Sequence, residues 1–152
     1  MALVSVPLGV DVPEGWQAVD PADTGAVLIV VLPVPEGEFR PNITVGVSDP
    51  AEHVDLDAAA DAARTRLTEL ATELELRSRK HIESALTPGL TQVFDLLLGP
   101  LRLVQSQVHL AVPLPDTAHH VAVELACTCT PSQAERVVPD FQRFVSSFHL
   151  RS

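Results

Sequence analysis

Seven side chains in this sequence have the types and spacing to act together: His81, Glu83, Gln105, Gln107, His109, Glu124 and Thr128. Residues two apart on an extended chain share a face, so His81 falls beside Glu83, and Gln105, Gln107 and His109 form a row. Two imidazoles and two carboxylates on one face are the acid–base constellation the chain offers, because proton transfer needs partners within hydrogen-bond reach. No nucleophile accompanies them. The sequence also lacks a glycine-rich phosphate loop, a G-x-S-x-G elbow and an H-E-x-x-H pair. The chemistry left is recognition: glutamine amides present both donors and acceptors to a partner's backbone.

Two further groups have the right residue types but the wrong geometry. Cys127 and Cys129 share one strand face, the apolar one, where they read as small core residues. Same-face neighbours on a strand are poorly placed for a disulfide, and no further metal ligand adjoins them. His119 and His120 sit near Asp116, but adjacent residues on a strand point opposite ways. No cofactor and no metal are expected.

The elements that must position these groups lie in residues 80–130, which read as a meander of four antiparallel strands. In residues 102–112, Val104, Ser106, Val108, Leu110 and Val112 alternate with Leu103, Gln105, Gln107, His109 and Ala111. In residues 120–130, Val121, Val123, Leu125, Cys127 and Cys129 alternate with Ala122, Glu124, Ala126 and Thr128. Period two marks strands with one apolar face. Pro113-Leu-Pro-Asp-Thr117 supplies the turn between them, and the register should pair the Val faces. Residues 79–86 and 90–98 make a preceding hairpin around Pro88-Gly89. The second of these is apolar enough to be covered on both faces. Gly99-Pro100 then turns into residue 102. The polar face, diluted by Ala111, Ala122 and Ala126, reads as a shallow, partly wet surface.

Upstream, residues 3–12 suggest a first strand, and Trp16 a plug for one end of the core. Residues 26–34 and 42–48 form another hairpin. Residues 55–76 carry Leu56, Ala59, Ala60, Ala63, Leu67, Leu70, Ala71 and Leu74 at helical spacing, with Asp55 as N-cap. The last helix starts with a capping box at Thr130-Pro-Ser-Gln133 and bears an apolar stripe from Ala134 to Phe148. Pro139 inside it predicts a kink or break.

At 152 residues with 46% hydrophobic content, the chain suits one domain, residues 1–152, with a real core. Residues 1–76 hold 14 acids and 3 bases; residues 77–152 hold 6 and 7. A net charge of −10 opposes nucleic-acid binding, which wants clustered Lys and Arg. The longest apolar run is far short of the roughly 20 residues of a membrane helix. The start, Met1-Ala-Leu-Val-Ser-Val, has no basic region or cleavage site, so the expected location is cytoplasmic.

Gly15-Trp16, Phe39-Arg-Pro-Asn-Ile-Thr-Val45, the long helix, the meander and the terminal Phe144-Val-Ser-Ser-Phe148 together resemble the PsbP-like superfamily, in particular its bacterial DcrB-type and LpqN-type branches. The resemblance implies an α+β fold: an antiparallel sheet flanked by helices in an α/β/α sandwich. It implies a non-catalytic accessory, adaptor or chaperone-like role. One branch shields apolar helices of secreted clients on the sheet face with Gln and Ser. The chain departs from the lipoprotein branch: no lipidation Cys stands near its start, and no leader is expected.

The leading expectation is a protein that binds a client, secreted or membrane-associated, through Gln105, Gln107, His109, Glu124, Thr128, His81 and Glu83. A small apolar or amphipathic ligand between sheet and helix is the alternative. A hydrolase using His81, Glu83 and His109 ranks last. A homodimer stays open, because edge strands need protection that the 13 prolines can provide.

Overall fold

Alternation along the strands builds one seven-stranded antiparallel sheet. The structure is a computed structural model that describes residues 8–83, 88–115 and 117–150. Its elements in chain order are β1 (Leu8–Gly9), β2 (Gln17–Val19), β3 (Leu28–Val31), β4 (Asn42–Val47), α1 (Leu56–Leu70), β5 (Glu73–Glu83), β6 (Pro88–Leu98), β7 (Leu101–Pro113), β8 (His120–Cys129), α2 (Ala134–Ser146) and β9 (His149–Leu150). The sheet runs β2-β3-β4-β8-β7-β6-β5, and β1 pairs with β9 in a separate ribbon. The β5–β8 meander is the expected one. Its last register sets Val112 opposite Val121, Leu110 opposite Val123 and Val108 opposite Leu125, so the apolar faces meet.

Each helix covers part of one face, which makes the fold an α/β/α sandwich. On one side α2 buries Val137, Phe141 and Phe144 against Val30, Ile43, Val45, Val108, Val123 and Leu125. Trp16 closes this core as expected, and its Nε1–H donates to Asp140 Oδ2 at 2.9 Å. Cys127 and Cys129 are free thiols buried in the same core. Burial pushes the Cys127 thiol far up, and that of Cys129 to about 11. On the other side α1 lies over β5, β6 and β7. It buries Ala60, Ala63 and Leu67, and only Leu67 joins an apolar cluster there, with Phe94, Leu96 and Leu103.

Several boundaries differ from expectation. The helix ends at Leu70, whose side chain is 73% exposed, and not at residue 76. Leu74 satisfies period two with Leu76 as well as period 3.6 with Leu67, Leu70 and Ala71, and cross-strand pairing of Leu74 with Leu96 and Leu76 with Phe94 decides for strand. Pro88 and Gly89 lie within β6, not at a hairpin tip; the 84–87 connection is outside the described residues. So are residues 1–7, where half of the expected first strand falls, and Asp116. Strand β6 is second from the edge, and Thr91, Val93, Asp95 and Leu97 on its far face are only half-buried, so it is not covered on both faces. The helix α2 runs unbroken through Pro139. The capping-box bonds form in the turn just before it: Thr130 N–H donates to Gln133 Oε1 at 2.9 Å, and Gln133 N–H to Thr130 Oγ1 at 3.3 Å.

Charge and irregularity, more than proline, mark the long edge. Glu73, Glu75, Arg77, Lys80, His81 and Glu83 stud β5, and a register shift falls between Leu76 and Ser78. Both features oppose edge-to-edge pairing. The other edge, β2, is three residues long.

Candidate binding site

The expected wet face is not wet. Gln107 and His109 are each 2% exposed because α1 lies over β6 and β7, and Thr128 on β8 is 9% exposed. A glutamine can be buried only if its amide is satisfied. Here the amides satisfy one another and the helix.

Arg79 orders the network. Its guanidinium has donors only, so Gln92 must turn Oε1 toward Arg79 Nε, at 3.0 Å. Gln92 Nε2 then donates to the Ala60 carbonyl of α1 at 3.0 Å and to Gln107 Oε1 at 2.7 Å. Gln107 Nε2 donates to Gln105 Oε1 at 2.7 Å, and Gln105 Nε2 to Thr128 Oγ1 at 2.8 Å. His109 Nε2 stands 2.9 Å from Gln107 Oε1. Arg79 Nη1 also meets Asp61 at 2.8 Å, while its Nη2 is buried without a hydrogen-bond partner among the described residues.

The helix is thus fastened at its middle by Gln92 and at both flanks by charge. Asp61 and Asp57 on one flank meet Arg79 and His81, the latter at 3.3 Å. Arg66 on the other meets Glu124 at 2.6 Å. Each flanking pair has at least one partner more than half exposed and contributes little. The buried amide chain is what specifies where the helix sits.

This arrangement joins Gln105, Gln107, His109, Glu124 and Thr128 and separates His81 and Glu83. His81 pairs in register with Leu90, and Leu90 with His109, so two strand spacings of about 4.8 Å divide the imidazoles. His81 is exposed and engaged with Asp57. The acid–base set of His81, Glu83 and His109 is therefore not assembled. Burial of His109 lowers its pKa; the Glu124 charge opposes this, and Arg66 and Arg79 add to it.

Sequence reasoning missed Gln92 and Arg79. The available signal was a lone amide in the apolar run of β6, on the face of Leu90, Phe94 and Leu96. It also missed the cleft that the short reach of α1 leaves open. Beside the helix, over β3, β4 and β8, lies a cleft of about 550 Å³. Small residues form much of its lining: Gly25, Ala26, Gly46, Ala59, Ala62 and Ala122. A Cβ added at Gly46 would meet nothing within 4 Å. His109, Glu124 and Arg66 form its ionisable part. Among the described residues no group of three or more His, Cys, Asp or Glu is placed to hold a metal ion, and no helix is long and apolar enough to cross a membrane.

No protein-family model and no curated protein sequence matches the chain. Solved structures do. LpqN of Mycobacterium tuberculosis, described as involved in cell envelope biogenesis, is similar with a TM-score of 0.73 at 10% identity, covering 95% of this chain and 83% of its own. The cyanobacterial PsbP of Synechocystis sp. PCC 6803 is similar with a TM-score of 0.58 at 16% identity, covering 99% and 96%. The Saccharomyces cerevisiae Ran-binding protein Mog1p gives 0.55 at 17%, covering 95% and 90%. At these identities the likeness concerns the fold, and the fold is PsbP-like.

Proposed function

We propose that this protein is a non-catalytic binding domain that holds a positively charged segment of a partner protein in the cleft between α1 and strands β3, β4 and β8. One observation carries the reading: a sheet face left open beside a helix and lined by glycine and alanine, which lets a partner's backbone approach closely. The site moves from the glutamine face expected from sequence, whose amides are occupied by one another, to the cleft next to it. Of the residues first expected to bind, His109 and Glu124 remain in contact with the cleft.

Charge selects the kind of partner. Residues 1–63 carry eleven carboxylates and one basic residue, Arg40, whereas the rest of the chain carries nine carboxylates and nine basic residues. The cleft draws Thr24, Gly25, Thr44 and Ser48 from that acidic part. A net charge of −10 steers a basic segment toward it. A protein partner accords with Mog1p, which shares the fold and is described as Ran-binding, although folds host many functions. A small amphipathic ligand would suit a cleft of this volume and is the competing occupant.

The test places a photo-crosslinking residue at Gly46 and, as control, at Gln142 on α2. Capture at Gly46 alone of a protein whose binding is lost with Ala122→Arg supports the reading. Equal capture at both positions, or binding indifferent to Ala122→Arg, refutes it. Native mass spectrometry showing a retained small molecule would transfer the site to the competing occupant.

A further inference from the structure

We propose that the polar end of the cleft is a subsite for a primary ammonium group, the lysine side chain of the partner segment, held between His109 Nδ1 and the Glu124 carboxylate. This deepens the cleft reading and rests on it.

The inference begins with where the hydrogens must be. Arg79 cannot accept, so Gln92 Oε1 faces it, and the Gln92 amide hydrogens point to the Ala60 carbonyl and to Gln107 Oε1. Gln107 Oε1 therefore only accepts. The hydrogen between it and His109, at 2.9 Å, must then sit on His109 Nε2. A neutral imidazole has one such hydrogen, which leaves Nδ1 a bare lone pair. The charged groups facing this ring are Glu124 from β8, Arg66 from α1 and Arg79 from β5. Burial of the ring, with Arg66 and Arg79, favours its neutral form against the opposing Glu124 charge.

His109 Nδ1 lies 3.9 Å from Glu124 Oε1. Both atoms accept, and neither brings a hydrogen. Two acceptors this close repel unless a donor joins them. His109 is 98% withdrawn from solvent yet forms part of the cleft wall with Glu124, so a donor to Nδ1 can reach it from the cleft. A nitrogen at about 2.8 Å from both atoms, the usual charge-assisted length, stands about 2 Å off the line between them. An ammonium fits: it is compact, has three rotatable donors and cancels the carboxylate charge. The alanines of α1 and β8 alongside, Ala59, Ala62 and Ala122, give the lysine stem an apolar path. Arg66 already holds Glu124 Oε1 at 2.6 Å and is the internal competitor for this position.

The probe is Nα-acetyl-lysine methylamide, with its Nε-acetylated form as control, followed through the His109 imidazole ¹⁵N resonances. The charged probe should shift Nδ1 in a saturable way, and the control should not. Glu124→Gln should weaken binding roughly tenfold, the loss expected for one charge-assisted hydrogen bond. Arg66→Gln, which frees Glu124, should tighten it. An unmoved Nδ1, equal binding of the two probes, or weaker binding in Arg66→Gln overturns the subsite. These results are separable from the cleft itself. Crosslinking at Gly46 with loss in Ala122→Arg, alongside an unmoved Nδ1, sinks the subsite and leaves the cleft standing. Binding indifferent to Ala122→Arg sinks the cleft whatever the probe does.

Discussion

Gln107→Arg is the substitution that separates a wet sheet face from a covered one. On an open face an arginine would be harmless to the fold. Beneath α1, where Gln107 is 2% exposed, it places a guanidinium among Arg79, Gln92 and Gln105, with no carboxylate bonded to this position. It also removes the acceptor for His109 Nε2 and for Gln92 Nε2. An uncompensated buried charge costs about 3–5 kcal/mol, against a total stability on the order of 5–15 kcal/mol for a protein. At about 2–4 °C per kcal/mol for a chain of this length, the midpoint should fall by roughly 6–20 °C. Differential scanning calorimetry measures that fall. The charge has one escape, which is to lift the helix, so hydrogen exchange along α1 should accelerate relative to α2. Ala122→Arg, on the open part of the same face, is the matched control and should melt near the parent. A Gln107→Arg protein that melts within about 2 °C of the parent, with α1 exchange unchanged, would refute the covered network.

Other outcomes follow from single contacts. Because the folded protein holds His109 at a lowered pKa, the unfolded chain binds its proton first as the pH falls through 6.5. Stability should therefore be full above that pH and decline below it until the folded-state ring also titrates, with a slope of at most about 1.4 kcal/mol per pH unit from this group; His109→Gln should flatten that part of the denaturation profile. Cys129, with its pKa pushed up to about 11, and Cys127, raised further, should resist thiol reagents at pH 8 and react together only as the protein unfolds in urea. Trp16→Phe removes the donor to Asp140 and should cost about 1–2 kcal/mol by urea denaturation, with a neutral result arguing against that bond.

Much of the fold was legible because strand alternation is a local signal. Val104 to Val112 and Val121 to Cys129 state which side of each strand is apolar, and matching those sides leaves one register for β7 and β8. The Asp55 cap was equally local, and its side chain accepts from Ala58 N–H at 3.0 Å. Where two periods agreed with the same residue, as at Leu74, local pattern could not choose, and pairing with β6 did.

The site was less legible. Polar residues on an alternating strand say that a face is not oily; they do not say that it meets water. From its own residues the chain determined the faces, the register, the caps and the burial of two thiols. Tertiary structure alone decided that α1 should lie on the glutamine row and stop short of β3 and β4. That choice depends on contacts distant in sequence: the Ala60 carbonyl with Gln92, Asp61 with Arg79, and Arg66 with Glu124. A glutamine's energetic sign depends on whether a partner arrives when water leaves, and the partners here come from another element. The same placement of one helix buries the amides and opens the cleft.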